Sequence, residues 1–202
     1  MKTRVETARE IITFHLLDIL TRHGVGFDPR IRTEGMEWFE RALAQGAGLL
    51  LAGPHSMLSV LALRTLLSRG TEAAVISPEP VRIPGTALRA RVIEPSFTYL
   101  LEVRRVLQEN GIVAAMIDRD AVRGRSTFAV PTARGEVVVA DALIHLAVRA
   151  EAPVVFFAAR LRGGEFVIAH GGAEEGARSA EDVMAAFVRF LQEHVESALR
   201  SS

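Results

Sequence analysis

Gly48-Leu49-Leu50-Leu51-Ala52-Gly53-Pro54-His55-Ser56 decides how this chain is read. Leu49–Ala52 is wholly apolar and bounded by turn signals. A run that short, with no polar face, reads as a strand buried on both sides. Gly53-Pro54 ends it, because proline brings no ladder N–H and restrains the residue before it. His55 then stands on the loop at the strand's carboxyl end. A helix is expected over residues 56–67, with Ser56 as its N-cap. A loop held by such rigid elements is a good place for a general base. A histidine base ordinarily needs a carboxylate that fixes its tautomer and stabilises its charge. Between Ser56 and Gly70 there is no Asp or Glu.

Working outward, strands and helices alternate. A helix is expected over 3–23, stopped by Gly24 and the turn at 26–29. Thr33-Glu34-Gly35 opens a second through Ala44, with Met36, Phe39 and Leu43 on one face. After the central run come a strand at 73–77, a Pro-rich connection (Pro78, Pro80, Pro84) and a short strand at 91–94. A helix over 96–110 is closed by Gly111. Ile112–Ile117 reads as a buried strand, and 123–132 as a loop or hairpin. A helix over 140–151 precedes a strand at 154–161. Gly163-Gly164 turns the chain into a strand at 165–169. Ser179 and Asp182 form a capping box for a last helix to about Leu199. This order predicts an α/β sandwich with a largely parallel central sheet, in a single domain over 1–202. Within it, 1–33 is an N-terminal helix and turn and 179–200 a C-terminal helix.

Composition removes several functions. The 202 residues suffice for one domain with a sizeable core, and 49% hydrophobic with 24% charged residues is ordinary for a globular chain. Zero formal net charge gives no overall positive field, so nucleic acid is not an expected partner. Absence of cysteine excludes disulfides, a thiolate nucleophile and Cys-ligated metal. The six histidines form no His-x-x-x-His pair, so no metal is expected. Gly46-x-Gly48 precedes a strand, the wrong context for a dinucleotide fingerprint. No cofactor is expected. Residues 1–10 lack a signal-peptide pattern, which implies a cytoplasmic location. The apolar run Ile11–Leu20 is too short to span a bilayer. Its helix packs on the core or rests on a membrane surface.

Polar groups at strand ends are the candidate chemistry. Asp118-Arg119-Asp120 follows Ile112–Ile117 at the edge where α/β sheets hold their sites. Asp118 and Asp120 are candidate carboxylates for His55, or caps of the next turn. Arg119, Arg123 and Arg125 suit phosphate groups, or form a solvated loop. Arg160 positions an acceptor or sits on the surface. Ser59 lies one helical turn past His55. Without a Gly-x-Ser-x-Gly elbow it is a substrate-binding candidate and not a nucleophile.

The ordered set of motifs carries a resemblance. It comprises the helix at Met36–Ala44, the Gly-bounded strand with His55, and Leu107-Gln108-Glu109-Asn110-Gly111 leading to Asp118-Arg119-Asp120. Phe128-Ala129-Val130-Pro131 follows, then the helix Ala140–Arg149 and Ala152-Pro153-Val154-Val155-Phe156-Phe157-Ala158-Ala159-Arg160. Over residues 34–170 the chain resembles the lysophospholipid acyltransferase superfamily, especially its lipid A late-acyltransferase branch and the related phosphatidylinositol mannoside acyltransferases. The resemblance implies a glycerol-3-phosphate acyltransferase-like sandwich and a His-x4-Asp/Glu dyad. In that dyad His takes a proton from an acceptor hydroxyl, which attacks an acyl thioester on acyl carrier protein or coenzyme A. His55 matches the base. Asp118 and Asp120 stand as substitute acids, and Arg119, Arg123, Arg125, Arg160 and Ser59 as substrate-binding groups. The dyad's acid position is Val60 here. The expected partners are acyl carrier protein or acyl-CoA and a hydroxyl- or amine-bearing lipid or small molecule, met in the cytoplasm or at the inner membrane face. The other open reading is a catalytically degenerate relative that binds an acyl chain or a partner enzyme.

Overall fold

The computed structural model describes residues 12, 15, 16, 19, 30–56, 58–81, 83, 90–118, 127–132, 135–162, 164–173 and 179–196. Seven strands form one sheet: β1 (Ile31–Glu34), β2 (Leu49–Gly53), β3 (Ala73–Ile76), β4 (Arg91–Ile93), β5 (Ile112–Met116), β8 (Val154–Arg162) and β9 (Glu165–Gly172). Between β5 and β8 in the chain, β6 (Thr127–Thr132) and β7 (Gly135–Ala140) make an antiparallel hairpin. The helices are α1 (Met36–Ala44), α2 (Ser59–Ser68), α3 (Tyr99–Gln108), α4 (Ala142–Arg149) and α5 (Ala180–Glu196).

The sheet order is β1-β9-β8-β2-β5-β3-β4. From β8 to β4 every pairing is parallel. β9 pairs antiparallel with β8, and β1 runs alongside it in parallel. The protein is an α/β sandwich with a mostly parallel central sheet, as the alternation of elements predicts.

Both faces of the sheet are covered, which explains why the central strands read as unbroken apolar runs. Leu50 and Ala52 of β2, Val113 and Ala115 of β5, and Phe156 of β8 pack under α3, α4 and α5. Leu49 and Leu51, Ile112 and Ala114, and Phe157 pack under α1 and α2. The crossovers explain the split. The chain passes from β2 through α2 to β3, moving one way along the sheet. It returns from β4 through α3 to β5, and from β5 through the hairpin and α4 to β8, moving the other way. Right-handed crossovers in opposite directions lie on opposite faces.

Most expected elements are present, with shifted ends. α2 begins at Ser59, not 56. The Ser56 hydroxyl still accepts an N–H bond, from Leu58 at 3.1 Å, and the Ser56 carbonyl takes Ser59 N–H at 3.1 Å. Ser56 therefore closes a turn that precedes the regular helix. The box at α5 is reciprocal: Asp182 N–H donates to Ser179 Oγ at 3.1 Å, and Ser179 N–H to Asp182 Oδ2 at 3.3 Å. Two strands were not expected. Residues 31–34 form β1, and helix α1 waits until Met36. Gly35 makes the junction at φ 67°, and a Cβ there would meet the His170 carbonyl oxygen. The second is β7, over residues to which no element was assigned up to Ala140; the helix expected from Ala140 begins at Ala142. Of the expected N-terminal helix, residues 12, 15, 16 and 19 are helical and the rest lie outside the described residues. Ile12, Leu16 and Ile19 are exposed. Among the described residues no helix is long and apolar enough to cross a membrane.

Two measurements check this core. Phe187 is fully buried, with its ring 5.1 Å from that of Phe156. Phe187→Ala is expected to cost about 3–5 kcal/mol in urea unfolding. The second concerns His170 of β9, 5% exposed, whose Nδ1 lies 3.3 Å from the Glu34 carbonyl oxygen. Burial pushes its pKa below the ordinary 6.5, against the opposing pull of that carbonyl, and burial lowers His194 in the same direction. The unfolded chain takes up these protons near pH 6.5 and the folded chain only at lower pH. Stability is therefore complete above about pH 6.5 and is lost as pH falls below it. The fall in urea midpoint from pH 7.5 to 5.5 is expected to be smaller in His170→Gln than in the wild type.

Candidate active site

β2 and β5 are equal in length and pair in full, from Leu49↔Ile112 to Gly53↔Met116. Ile117 N–H extends the ladder to the Gly53 carbonyl at 3.1 Å. Two residues beyond the last pair on each chain stand His55 and Asp118. The register thus sets them opposite each other, and Asp118 Oδ1 accepts the His55 main-chain N–H at 2.6 Å. Gly53 also lets β8 lie close against the end of β2. A Cβ there would come within 2.5 Å of the Phe157 ring and 2.6 Å of its carbonyl oxygen.

The location has a topological reason. After β2 the chain turns to α2 on one face. After neighbouring β5 it turns to the hairpin and α4 on the other face. Loops that part in this way leave a crevice outside the carboxyl ends of the strands, where open α/β sheets bind ligands. His55 is exposed there and Asp118 is partly buried.

Three further contacts hold the histidine loop. Ser59 is 3% exposed, and its hydroxyl donates to the Pro54 carbonyl at 3.0 Å. The same oxygen accepts Ser56 N–H at 3.2 Å. Ser59, expected from sequence as a substrate-binding group, thus braces the loop from inside. Met116 is the third contact: its Sδ lies 2.9 Å from His55 Nδ1. Nothing in the sequence singled out Met116, since methionine ordinarily serves as a core filler. The signal that was available is its position as last residue of β5, level with Gly53.

Val60, the position of the missing acid, is 8% exposed and belongs to the core under α2. It lines a narrow apolar cavity of about 20 Å³ between α2 and the sheet, together with Leu51, Ser59, Leu63, Met116 and Phe157.

No protein-family model matches this chain, and no curated protein matches it. The site is therefore argued from its own geometry.

Arg160 engages groups on the side of β8 away from β2. Its Nη2 donates to Glu34 Oε2 of β1 at 2.8 Å and its Nη1 to the His194 carbonyl of α5 at 3.4 Å. Glu34 also pairs with Arg32 at 3.0 Å. The guanidinium side chain is 12% exposed and ties three elements together. Arg119, Asp120, Arg123 and Arg125 lie outside the described residues.

A larger cavity, about 520 Å³, opens at the opposite edge of the sheet between the carboxyl ends of α2 and α3. Its polar side chains are Thr71, Glu72, Arg91 and Glu109, and Arg91 is held by Glu102 at 2.7 Å. Size favours that cavity. Chemistry favours the β2–β5 edge, where a carboxylate holds the main chain of an exposed histidine at a switch point.

Asp118 is expected to order the histidine loop through the His55 N–H. A charged acceptor contributes about 1.5–3 kcal/mol to such a bond. Amide hydrogen exchange at His55 should accelerate about tenfold or more in Asp118→Ala. It should stay near wild type in Asp118→Asn, which keeps the accepting oxygen.

Proposed function

We propose that this protein is an acyltransferase that moves a fatty acyl group from a thioester on acyl carrier protein or coenzyme A to a hydroxyl or amine. His55 is the general base in this reading. The observation that carries it is the pairing of His55 with Asp118 across the β2–β5 edge, at a topological switch point. The motif order resembling the lysophospholipid acyltransferases supports the same reading.

The chemistry runs as follows. His55 takes the proton of the acceptor hydroxyl or amine as its heteroatom attacks the thioester carbon. The tetrahedral intermediate collapses, the carbon–sulfur bond breaks, and the thiolate leaves with the proton returned by the imidazolium. Asp118 holds the loop and adds negative charge beside the imidazolium.

The cavity behind Met116 and Val60 is apolar, as an acyl chain requires. At about 20 Å³ it has room for roughly one water. A chain therefore enters only when α2 or the connection at Val81 moves. A second reading has its own observation: with Val60 in the core, the usual acid is replaced by a packing residue. On that reading the protein binds an acyl chain or a partner enzyme and does not turn over.

Incubation with acyl carrier protein and acyl-coenzyme A thioesters of several chain lengths tests the proposal. Thioester loss that drops by a hundredfold or more in His55→Ala is the expected outcome, on the scale of a lost catalytic base. Turnover indifferent to that substitution, or none with any donor, overturns the enzyme reading in favour of binding.

A further inference from the structure

The large cavity lies at the amino ends of β3 and β5, whereas His55 stands past the carboxyl end of β2. The length of β5, Ile112–Met116, puts about 16 Å between the two places. Its origin is topological. α2 and α3 cover opposite faces of the sheet and lead into neighbouring strands. α2 turns into β3 through Gly70 at φ 76°, and α3 turns into β5 through Asn110 at φ 60° and Gly111. The two turns come in from opposite faces and leave an opening of about 520 Å³ between them. Small-molecule sites span about 300–1,000 Å³.

The wall carries three kinds of group. Leu67, Val106 and Ile112 are buried core side chains that give it an apolar floor. Glu72 brings a carboxylate and Arg91 a guanidinium, both on exposed residues. Arg91 pairs in the ladder with Ala74 of β3, and Glu72 stands two residues before Ala74. The register thus brings opposite charges to the starts of neighbouring strands. They do not neutralise each other. Arg91 Nη2 donates to Glu102 Oε1 at 2.7 Å, and a guanidinium has further N–H donors beyond that one bond. Among the described residues Glu72 makes no ion pair. Glu109, the other acid on the wall, is held by Arg105 at 2.9 Å.

We propose that this cavity binds a small zwitterion of the amino-acid class, with its ammonium on Glu72, its carboxylate on Arg91 and an apolar side chain on Leu67, Val106 and Ile112. A simple cation would meet the guanidinium, and a simple anion would meet the Glu72 carboxylate. A ligand carrying both charges answers both, and like charges brought together would oppose the others. Thr71 adds a hydroxyl able to bond either end of the ligand. The site goes beyond the acyl-transfer reading and uses none of its residues.

Isothermal titration of the full chain tests the proposal. The probes are L-leucine and L-phenylalanine, each also as its methyl ester, which lacks the carboxylate, and as its N-acetyl derivative, which lacks the ammonium. Saturable binding of a free amino acid is expected, with both of its blocked forms weaker by about tenfold or more, the scale of a lost charge-assisted hydrogen bond. Glu72→Gln and Arg91→Gln should each weaken the free amino acid by a similar factor, and neither touches the core. His55→Ala should leave its affinity unchanged. No binding of either free amino acid overturns the proposal. So does a blocked form that binds as well as its parent, or binding indifferent to both wall substitutions. Binding lost in His55→Ala would put the ligand at the other edge and overturn it too. None of these readouts involves turnover, so failure of the acyl-transfer reading and failure of this proposal are separately visible.

Discussion

The parallel pairing of β2 with β5 is the constraint on which the rest depends. Leu49–Gly53 and Ile112–Met116 are matched residue for residue, and each alternates its side chains between two separate cores. A slip of β2 by one residue against β5 would turn every β2 side chain to the opposite face. Leu50 would then face α2, and Leu51 would face α4. The packing of both helical layers therefore fixes one register. That register also decides which residue beyond β2 meets which residue beyond β5. The meeting of His55 and Asp118 is a consequence of core packing, achieved with no polar residue inside the strands.

What the site can do follows from what surrounds that meeting. The carboxylate engages the histidine main chain, the serine hydroxyl engages the loop carbonyl, and the thioether engages the ring. Position 60, where a neighbouring acid would complete a dyad, is given to the core. The arrangement holds the histidine loop from two sides. On the proposed reading the donor is a thioester, which needs less help from an enzyme than an ester or amide. Arg160 contributes elsewhere, by joining β1 and α5 to β8.

Much of the fold was legible because the central strands are short apolar runs between turn residues, and helical periodicity marks Met36–Ala44 clearly. β1 escaped notice for a physical reason: Ile31-Arg32-Thr33-Glu34 is a four-residue edge strand, and its polar alternation resembles a helix start. β7 carried a real signal in Val137-Val138-Val139, obscured by the helix-forming residues that follow it. In the site, His55 and Asp118 were each visible as polar residues just past a buried run. Asp118 was one of two carboxylates expected for His55; that it meets the His55 main-chain N–H was not legible, because register belongs to tertiary packing. Equal strand lengths and equal offsets of two residues to His55 and to Asp118 were the available clue. Met116 was invisible, since a methionine ending a strand looks like any other core residue. Ser59 looked like a site residue because it lies one turn from His55, and burial gives it a different task.

The register at the carboxyl edge is the central claim, and the chain's lack of cysteine makes it directly measurable. Neighbouring strands lie about 4.8 Å apart, within the Cα separation a disulfide bridges. A His55→Cys/Asp118→Cys double variant, oxidised mildly while folded, should close an intrachain bond quickly and almost completely. Thiols that stay free in the folded protein, or that join only between molecules, would contradict the pairing of β2 with β5 and with it the site.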